Sequence, residues 1–270
     1  MIILIFIGHN FFGGGAEVNF TEEPFTLTDD LALALVDRRI TYQAENELKK
    51  RNIEIIKTIA CDEVYKSIRY HPDICVCNLG KGDIVVAPNV YSEYKKILSP
   101  YNFNVIKGRS AIQNKYPYNI QYNVAILGKH AIHNFKYTDE SILSYIDKNN
   151  LNKINVQQGY SKCSICIVDD NSIITSDVGI FNSVKDTDIE CLLIEEGHIE
   201  LFDMSYGFIG GCTGMISKNQ IAFYGDIKNH PDYEKIKGFI QSRGKEIVIL
   251  SSEKLLDLGS IVPLMTRKER

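Results

Sequence analysis

Seven cysteines and six histidines are the most reactive side chains of this 270-residue sequence, and few of them stand where chemistry can use them. Cys163 is the sharpest candidate. It closes a Gly-led turn, Gly159-Tyr160-Ser161-Lys162-Cys163, at the entrance to an apolar run. A neighbouring cation such as Lys162 favours the thiolate, which is the nucleophilic form. The competing reading is a buried cysteine packed as a small hydrophobe. His133, within Ile132-His133-Asn134, titrates near neutrality and is the candidate proton carrier. His71-Pro72-Asp73 and His230-Pro231-Asp232 also place an acid two residues after a histidine, but proline there points to loops or helix starts.

Binding candidates surround these. Asp177 and Asp226 each follow an apolar strand, in Thr175-Ser176-Asp177 and Tyr224-Gly225-Asp226. Singly each suits a helix N-cap; facing one mouth together they would grip a small planar cation. Gly211 and Cys212 lie in Gly210-Gly211-Cys212-Thr213-Gly214, where glycines let backbone approach a ligand or simply turn a tight corner. Cys163-Ser164-Ile165-Cys166 is a C-x-x-C and Cys75-Val76-Cys77 a C-x-C. In an extended strand, residues three apart face opposite sides, so no metal site is expected, and no cofactor. Phe11-Phe12-Gly13-Gly14-Gly15 lacks the Lys-Ser/Thr of a phosphate loop, and no G-x-S-x-G nucleophile elbow occurs.

Elements of regular length must hold these residues, and they recur. Ile84, Ile132, Ile173 and Ile221 open four apolar strands spaced 48, 41 and 48 residues apart. In each case another strand starts eight residues earlier, at Val76, Val124, Ile165 and Thr213. Turns such as Gly80-Lys81-Gly82-Asp83 join each pair. A short helix and a closing strand follow: Tyr91 to Leu98, then Phe103 to Ile106, in the first copy; Ser141 to Ile146, with Thr138 as N-cap, then Ile154 to Gln157, in the second. The third has a weak helix near Phe181 to Val184, and the fourth a helix beginning near Pro231. A fifth copy is divided between the ends. Ser260 to Met265 is a lone strand, and Leu31 to Val36 lacks its hairpin partner until the two are joined. The first strands start, and the second strands end, at one mouth. Asn123, Cys163, Gly211 and Cys212 stand at the starts, and Asp177 and Asp226 at the ends.

Five ββαβ units in pseudo-fivefold closure, the fifth shared between the termini, resemble the pentein, or guanidine-modifying-enzyme, α/β propeller within the α+β class. The runs Val85-Val86-Ala87-Pro88-Asn89-Val90, Gln158 to Cys166 and Tyr206-Gly207-Phe208-Ile209-Gly210-Gly211 are similar to an uncharacterised bacterial family of that fold. The resemblance covers Leu31 to Met265. It implies residues 1–30 as an N-terminal extension, 31–265 as one domain and 266–270 as a charged tail.

The resemblance also implies a reaction: a hydrolase or amidinotransferase acting on a C–N bond of a guanidino compound. Cys163 would attack the guanidinium carbon, Asp177, Asp226, Asn123, Gly211 and Cys212 would surround the substrate, and His133 would move protons. Two departures weigh for a non-catalytic binding or assembly protein of the same fold. Phe135 stands where the superfamily's His-x-Asp would place its acid after His133, and Cys212 stands where a Gly-Gly-acid entrance has its carboxylate.

Composition narrows the setting. Hydrophobic residues are 44% and charged residues 24%, and net charge is -4. The chain is globular, and offers no basic footprint for nucleic acid or anionic membrane. The apolar start, Met1 to Ile7, lacks a cationic flank and is far shorter than the ~20 residues of a membrane span. Seven cysteines suit a reduced, cytoplasmic protein. The expected partner is a small guanidino molecule, with neither nucleic acid nor membrane, and oligomeric state is left open.

Overall fold

The computed structural model describes residues 17–268. Its strands and helices run in chain order as β1 (Val18–Phe20), β2 (Asp30–Val36), α1 (Tyr42–Lys50) and β3 (Glu54–Lys57). Next come α2 (Pro72–Cys75), β4 (Val76–Gly80), β5 (Asp83–Val86), α3 (Tyr91–Leu98) and β6 (Asn104–Lys107). The following unit holds β7 (Ala125–Leu127), β8 (His130–His133), α4 (Glu140–Lys148) and β9 (Asn152–Asn155). Then α5 (Ser161–Ser164) leads to β10 (Cys166–Asp169), β11 (Ser172–Thr175), α6 (Val178–Val184) and β12 (Glu190–Leu193). Last are β13 (Thr213–Ser217), β14 (Gln220–Phe223), α7 (Tyr233–Gln241), β15 (Glu246–Ile249) and β16 (Val262–Arg267).

These strands form five small sheets of one plan. In β4–β5–β6, β7–β8–β9, β10–β11–β12 and β13–β14–β15, an antiparallel hairpin is followed by a parallel third strand. A parallel neighbour requires a crossover, which α3, α4, α6 and α7 supply. The first hairpin turns through Gly80, Lys81 and Gly82, all at positive φ (79°, 53° and 84°), where two glycines relieve the strain. The fifth sheet joins both ends of the chain: β16 pairs antiparallel with β2, and β2 pairs parallel with β3 across α1.

The structure adds detail at both ends of the chain and at two local points. Within the expected N-terminal extension, residues 18–20 form β1, which pairs with the outer edge of β16, Val18 opposite Arg267 and Phe20 opposite Met265. This covers an edge that β16 would otherwise expose. The expected tail likewise begins inside β16, where the Arg267 guanidinium donates to the carbonyls of Leu31, Arg51 and Asn52. The N-cap of α4 is Asp139, which accepts from Ser141 N, while Thr138 bonds to His133. Finally, the approaches to β4 and β10 are helical turns, α2 and α5. Pro72, whose fixed φ suits a first helical turn, opens α2, and Ser164 N donates to Tyr160 O in α5. The Phe11 to Gly15 run lies outside the described residues.

The hairpin strands are buried on both faces and divide the core in two. Leu33 and Leu35 of β2 enter one apolar cluster, and Leu31, Ala34 and Val36 the other. The strands β10 and β11 split likewise, Ile167 and Ile173 on one side, Val168 and Ile174 on the other. Strand alternation therefore binds the two cores through shared elements. Among the described residues no helix is long and apolar enough to cross a membrane.

Candidate functional site

The entrances to the first strands of all five units meet. Asp73 comes from α2, Asn123 from the approach to β7, Lys162 and Cys163 from α5, Gly210 and Gly211 from the approach to β13, and Ser260 from the approach to β16. Cys163 Sγ donates to Asp73 Oδ2 at 3.0 Å. Asn123 Oδ1 accepts from the backbone N–H of Lys162 (2.8 Å) and Cys163 (3.1 Å), while its Nδ2 lies 3.1 Å from Asp73 O and 3.4 Å from Cys163 Sγ. Ser260 Oγ lies 3.0 Å from Asp73 Oδ2 and 2.9 Å from Gly210 O, and accepts from Lys162 Nζ at 2.9 Å. Ser260 adopts φ 79° without being glycine, a conformation held by this buried network.

Above this network Cys163 faces His71 and Asp257. The sulfur, an imidazole nitrogen and a carboxylate oxygen of the three lie within 4.8 Å of one another. Asp257 is fixed from both sides, Oδ1 accepting from Gly259 N (3.0 Å) and Oδ2 from Phe208 N (2.9 Å). Only glycine fits at position 211, since a Cβ there would stand 1.9 Å from Asp257 Oδ1. Gly211 N also donates to Cys163 O at 2.8 Å. His71 Nδ1 is 3.8 Å from Asp257 Oδ1, Nε2 is 4.0 Å from Asp37 Oδ2, and neither nitrogen has a hydrogen-bond partner. Asp73 Oδ1 is likewise buried without one.

Burial sets the proton affinities here. It lowers the His71 pKa to about 3, with the Arg39 charge adding to the effect. It raises Asp73 to about 6 against the opposing pull of Lys162 and the hydrogen bonds it accepts, and Asp257 to about 7. Burial, Asp73 and Asp257 together push the Cys163 thiol well up. Lys162 does not offset this for Cys163: its ammonium turns to Ser260 and the Phe25 ring. The sequence-based expectation of a thiolate favoured by Lys162 is therefore corrected. Burial and the two carboxylates hold Cys163 as a thiol.

A cavity of about 280 Å³ opens onto Cys163, His71 and Asp257, walled by the Tyr65–Ile74 and Leu201–Phe208 segments and by Tyr160. A broader cleft of about 900 Å³ lies behind Leu201–Ser205, lined by His198, Asp226, His230 and Lys254. No cysteine is among the residues that line it. The thiol, imidazole and carboxylate are also donors of the type that bind a zinc-like ion.

The candidates named from sequence separate accordingly. Cys163, Asn123 and Gly211 come together. His133 does not join them: Thr138 Oγ1 holds its Nδ1 at 2.6 Å and Gly159 O its Nε2 at 3.0 Å, and burial lowers its pKa to about 4. Asp177 caps α6, accepting from Ile180 N, and receives Gln158 Nε2. Asp226 caps the 3-10 turn after β14, accepting from Lys228 N. Cys212 Sγ points to Ile209 O in the core. His71 and Asp73 were visible as a His-x-Asp, yet the helical reading of Pro72 obscured that they precede the first strand of a unit, as Cys163 does. Asp257 precedes the lone C-terminal strand, and the same rule applied there would have found it.

A protein-family model described as a family of unknown function (DUF6873) matches residues 35–262. No curated protein sequence matches the chain. Among solved structures, the agmatine deiminase of C. jejuni superposes with TM-score 0.54 at 8% identity, covering 97% of this chain and 99% of its own. An amidinotransferase of Microseira wollei from saxitoxin biosynthesis gives 0.52 at 11% identity (84% and 90% covered). The inosamine-phosphate amidinotransferase of Streptomyces griseus gives 0.52 at 11% (87% and 91%). These are pentein-fold, guanidino-modifying enzymes, and the chain shares their fold.

Proposed function

This chain belongs to the family of unknown function DUF6873, and we propose that it modifies a guanidino group, as a hydrolase or an amidinotransferase, with Cys163 as nucleophile. The observation that carries this reading is the shared cavity of Cys163, His71 and Asp257, with reactive atoms within 4.8 Å. We further propose that the five units close around one axis as a propeller. The meeting of all five first-strand entrances supports this.

A guanidinium entering the cavity brings one positive charge toward Asp257 and Asp73. Paired with Asp257, and with Asp73 close behind Cys163, it reverses the field that holds the thiol protonated. The thiol proton passes to the neutral His71 ring, and Asp257 steadies the imidazolium. The sulfur forms a bond to the guanidinium carbon. As the C–N bond breaks, the departing nitrogen takes that proton from His71, leaving an amidino-thioether. Neutral His71 then accepts a proton from water, or from an acceptor amine, whose lone pair attacks the same carbon. The C–S bond breaks, and sulfur regains its proton.

His71 thus replaces His133 in this scheme, and Asp257 replaces Asp177 and Asp226. All seven cysteines are free, which suits the reducing, cytoplasmic setting included in the proposal. Mass spectrometry of the protein incubated with a panel of guanidino compounds tests it. A +amidino adduct on Cys163, or a urea-type product lost in Cys163→Ala, is expected. Absence of both across the panel would favour the non-catalytic binding protein.

A further inference from the structure

Every substrate has a remainder beyond its reacting group, and the walls of the cavity state what remainder they accept. Among the described residues that line it, Asp257 is the one carboxylate and His71, which burial keeps neutral, the one imidazole, and both face the reacting end. Neither lysine nor arginine lines the cavity among the described residues. Two cations beside the site are already engaged. Lys162 binds Ser260 beneath Cys163. Arg39 clamps Asp37 through Nε and Nη2, donates to the carbonyls of Lys66 and Ser67, and lies 4.6 Å from the Phe202 ring centroid.

The rest of the wall is apolar or neutral. Ile68, Ile74, Leu201, Met204 and Phe208 supply hydrocarbon and sulfur. Tyr65 and Tyr160 hold each other's hydroxyls at 2.9 Å, and Asn119 binds both. Their polar ends are satisfied without a ligand. Met204 and Tyr206, at 54% and 39% exposure, extend the apolar lining outward. The volume, about 280 Å³, equals that of roughly nine water molecules at ~30 Å³ each, enough for a guanidinium and a short arm.

We infer that the substrate is a guanidine carrying an uncharged apolar arm, an alkyl- or arylalkylguanidine, and not an amino acid. This rests on the guanidino reading of the same site. A carboxylate on the arm would lose its water and meet no cation, and a second ammonium would meet no acid beyond those used by the guanidinium. Burying an unpaired charge is costly enough to discriminate by about 100-fold or more. An apolar arm gains by leaving water for Ile68, Leu201 and Met204.

Binding to Cys163→Ala, which cannot turn over, tests the inference by isothermal titration with butylguanidine, phenethylguanidine, agmatine and arginine. The two apolar guanidines should bind about 100-fold more tightly than arginine, and more tightly than agmatine. Met204→Arg, placing a cation at the exposed rim in the same background, should narrow the gap to arginine by about tenfold. Arginine binding as tightly as butylguanidine overturns the inference while leaving the guanidino reading intact. If none of the four binds, and butylamine or phenethylamine does, both fail together.

Discussion

Cys163 Sγ donates a hydrogen bond to Asp73 Oδ2 over 3.0 Å, and both groups are almost wholly buried. A thiol held this way by an acid is kept in reserve: the neighbouring carboxylate opposes ionisation until a cation arrives. Alkylation of Cys163 at pH 7 should therefore be slow in the free protein. Asp73→Asn should speed it several-fold by removing the opposing charge. Peptide mapping across all seven cysteines reads the result. A Cys163 that stays unlabelled up to about pH 9, the region of a free thiol, in both proteins would sink the nucleophile assignment.

Turnover should follow an acid. Asp257, at about 7, must be ionised to bind a guanidinium, so kcat/KM should rise with pH through that region. Its free-enzyme pKa values are what kcat/KM reports. A profile that is level from pH 5 to 8 would contradict this assignment.

His71 makes stability, like turnover, rise with pH. Its folded-state pKa, about 3, lies below the usual value of 6.5, so the unfolded chain takes up a proton first as pH falls. The stability from keeping His71 neutral is complete above about 6.5 and is lost progressively toward 3. Asp73 and Asp257, with raised folded values, lose stability as pH rises from about 4 to 7. His71→Leu removes only the first effect. Between pH 7 and 5 the variant should gain about 2 kcal/mol on the native protein, a melting shift of several degrees. Thermal melts at both pH values check it.

Gly211→Ala should disable the site without unfolding the protein. Its Cβ would fall 1.9 Å from Asp257 Oδ1, so the carboxylate must move. Misplacement of a binding group by about 1 Å costs on the order of 100-fold in rate. A folded Gly211→Ala with native kcat/KM would show that Asp257 has no part in turnover.

The N-terminal strand should matter to stability. Phe20 packs against Phe103 with ring centroids 4.8 Å apart, and its ring lies where Gly82 has no side chain. Phe20→Ala should cost about 2 kcal/mol, below the 3–5 of a fully buried phenylalanine. A denaturant midpoint that does not move would mean β1 contributes nothing beyond pairing.

Much of the architecture could be read from the chain, because it depends on local periodicity. Strands buried on both faces write continuous apolar runs, and hairpins write turn residues at constant spacing; α3 occupies Tyr91–Leu98 as anticipated. The pairing of β16 with β2 followed from the incompleteness of each end alone. Cys163, Asn123 and Gly211 lie together because each stands at a strand entrance. What local pattern could not decide was which side chains share a hydrogen bond across units. His133 and His71 are both buried histidines, and only packing shows that one is spent on Thr138 and Gly159 while the other stands unpartnered beside Cys163. Asp177, Asp226, Asp73 and Asp257 are chemically alike. The first two turn back to cap their own following segments, a local bond available to any aspartate before a helix or turn. The last two meet Cys163 across 90 and 94 residues of chain because five separate strand entrances converge, and convergence is a property of the assembled units that no single segment encodes.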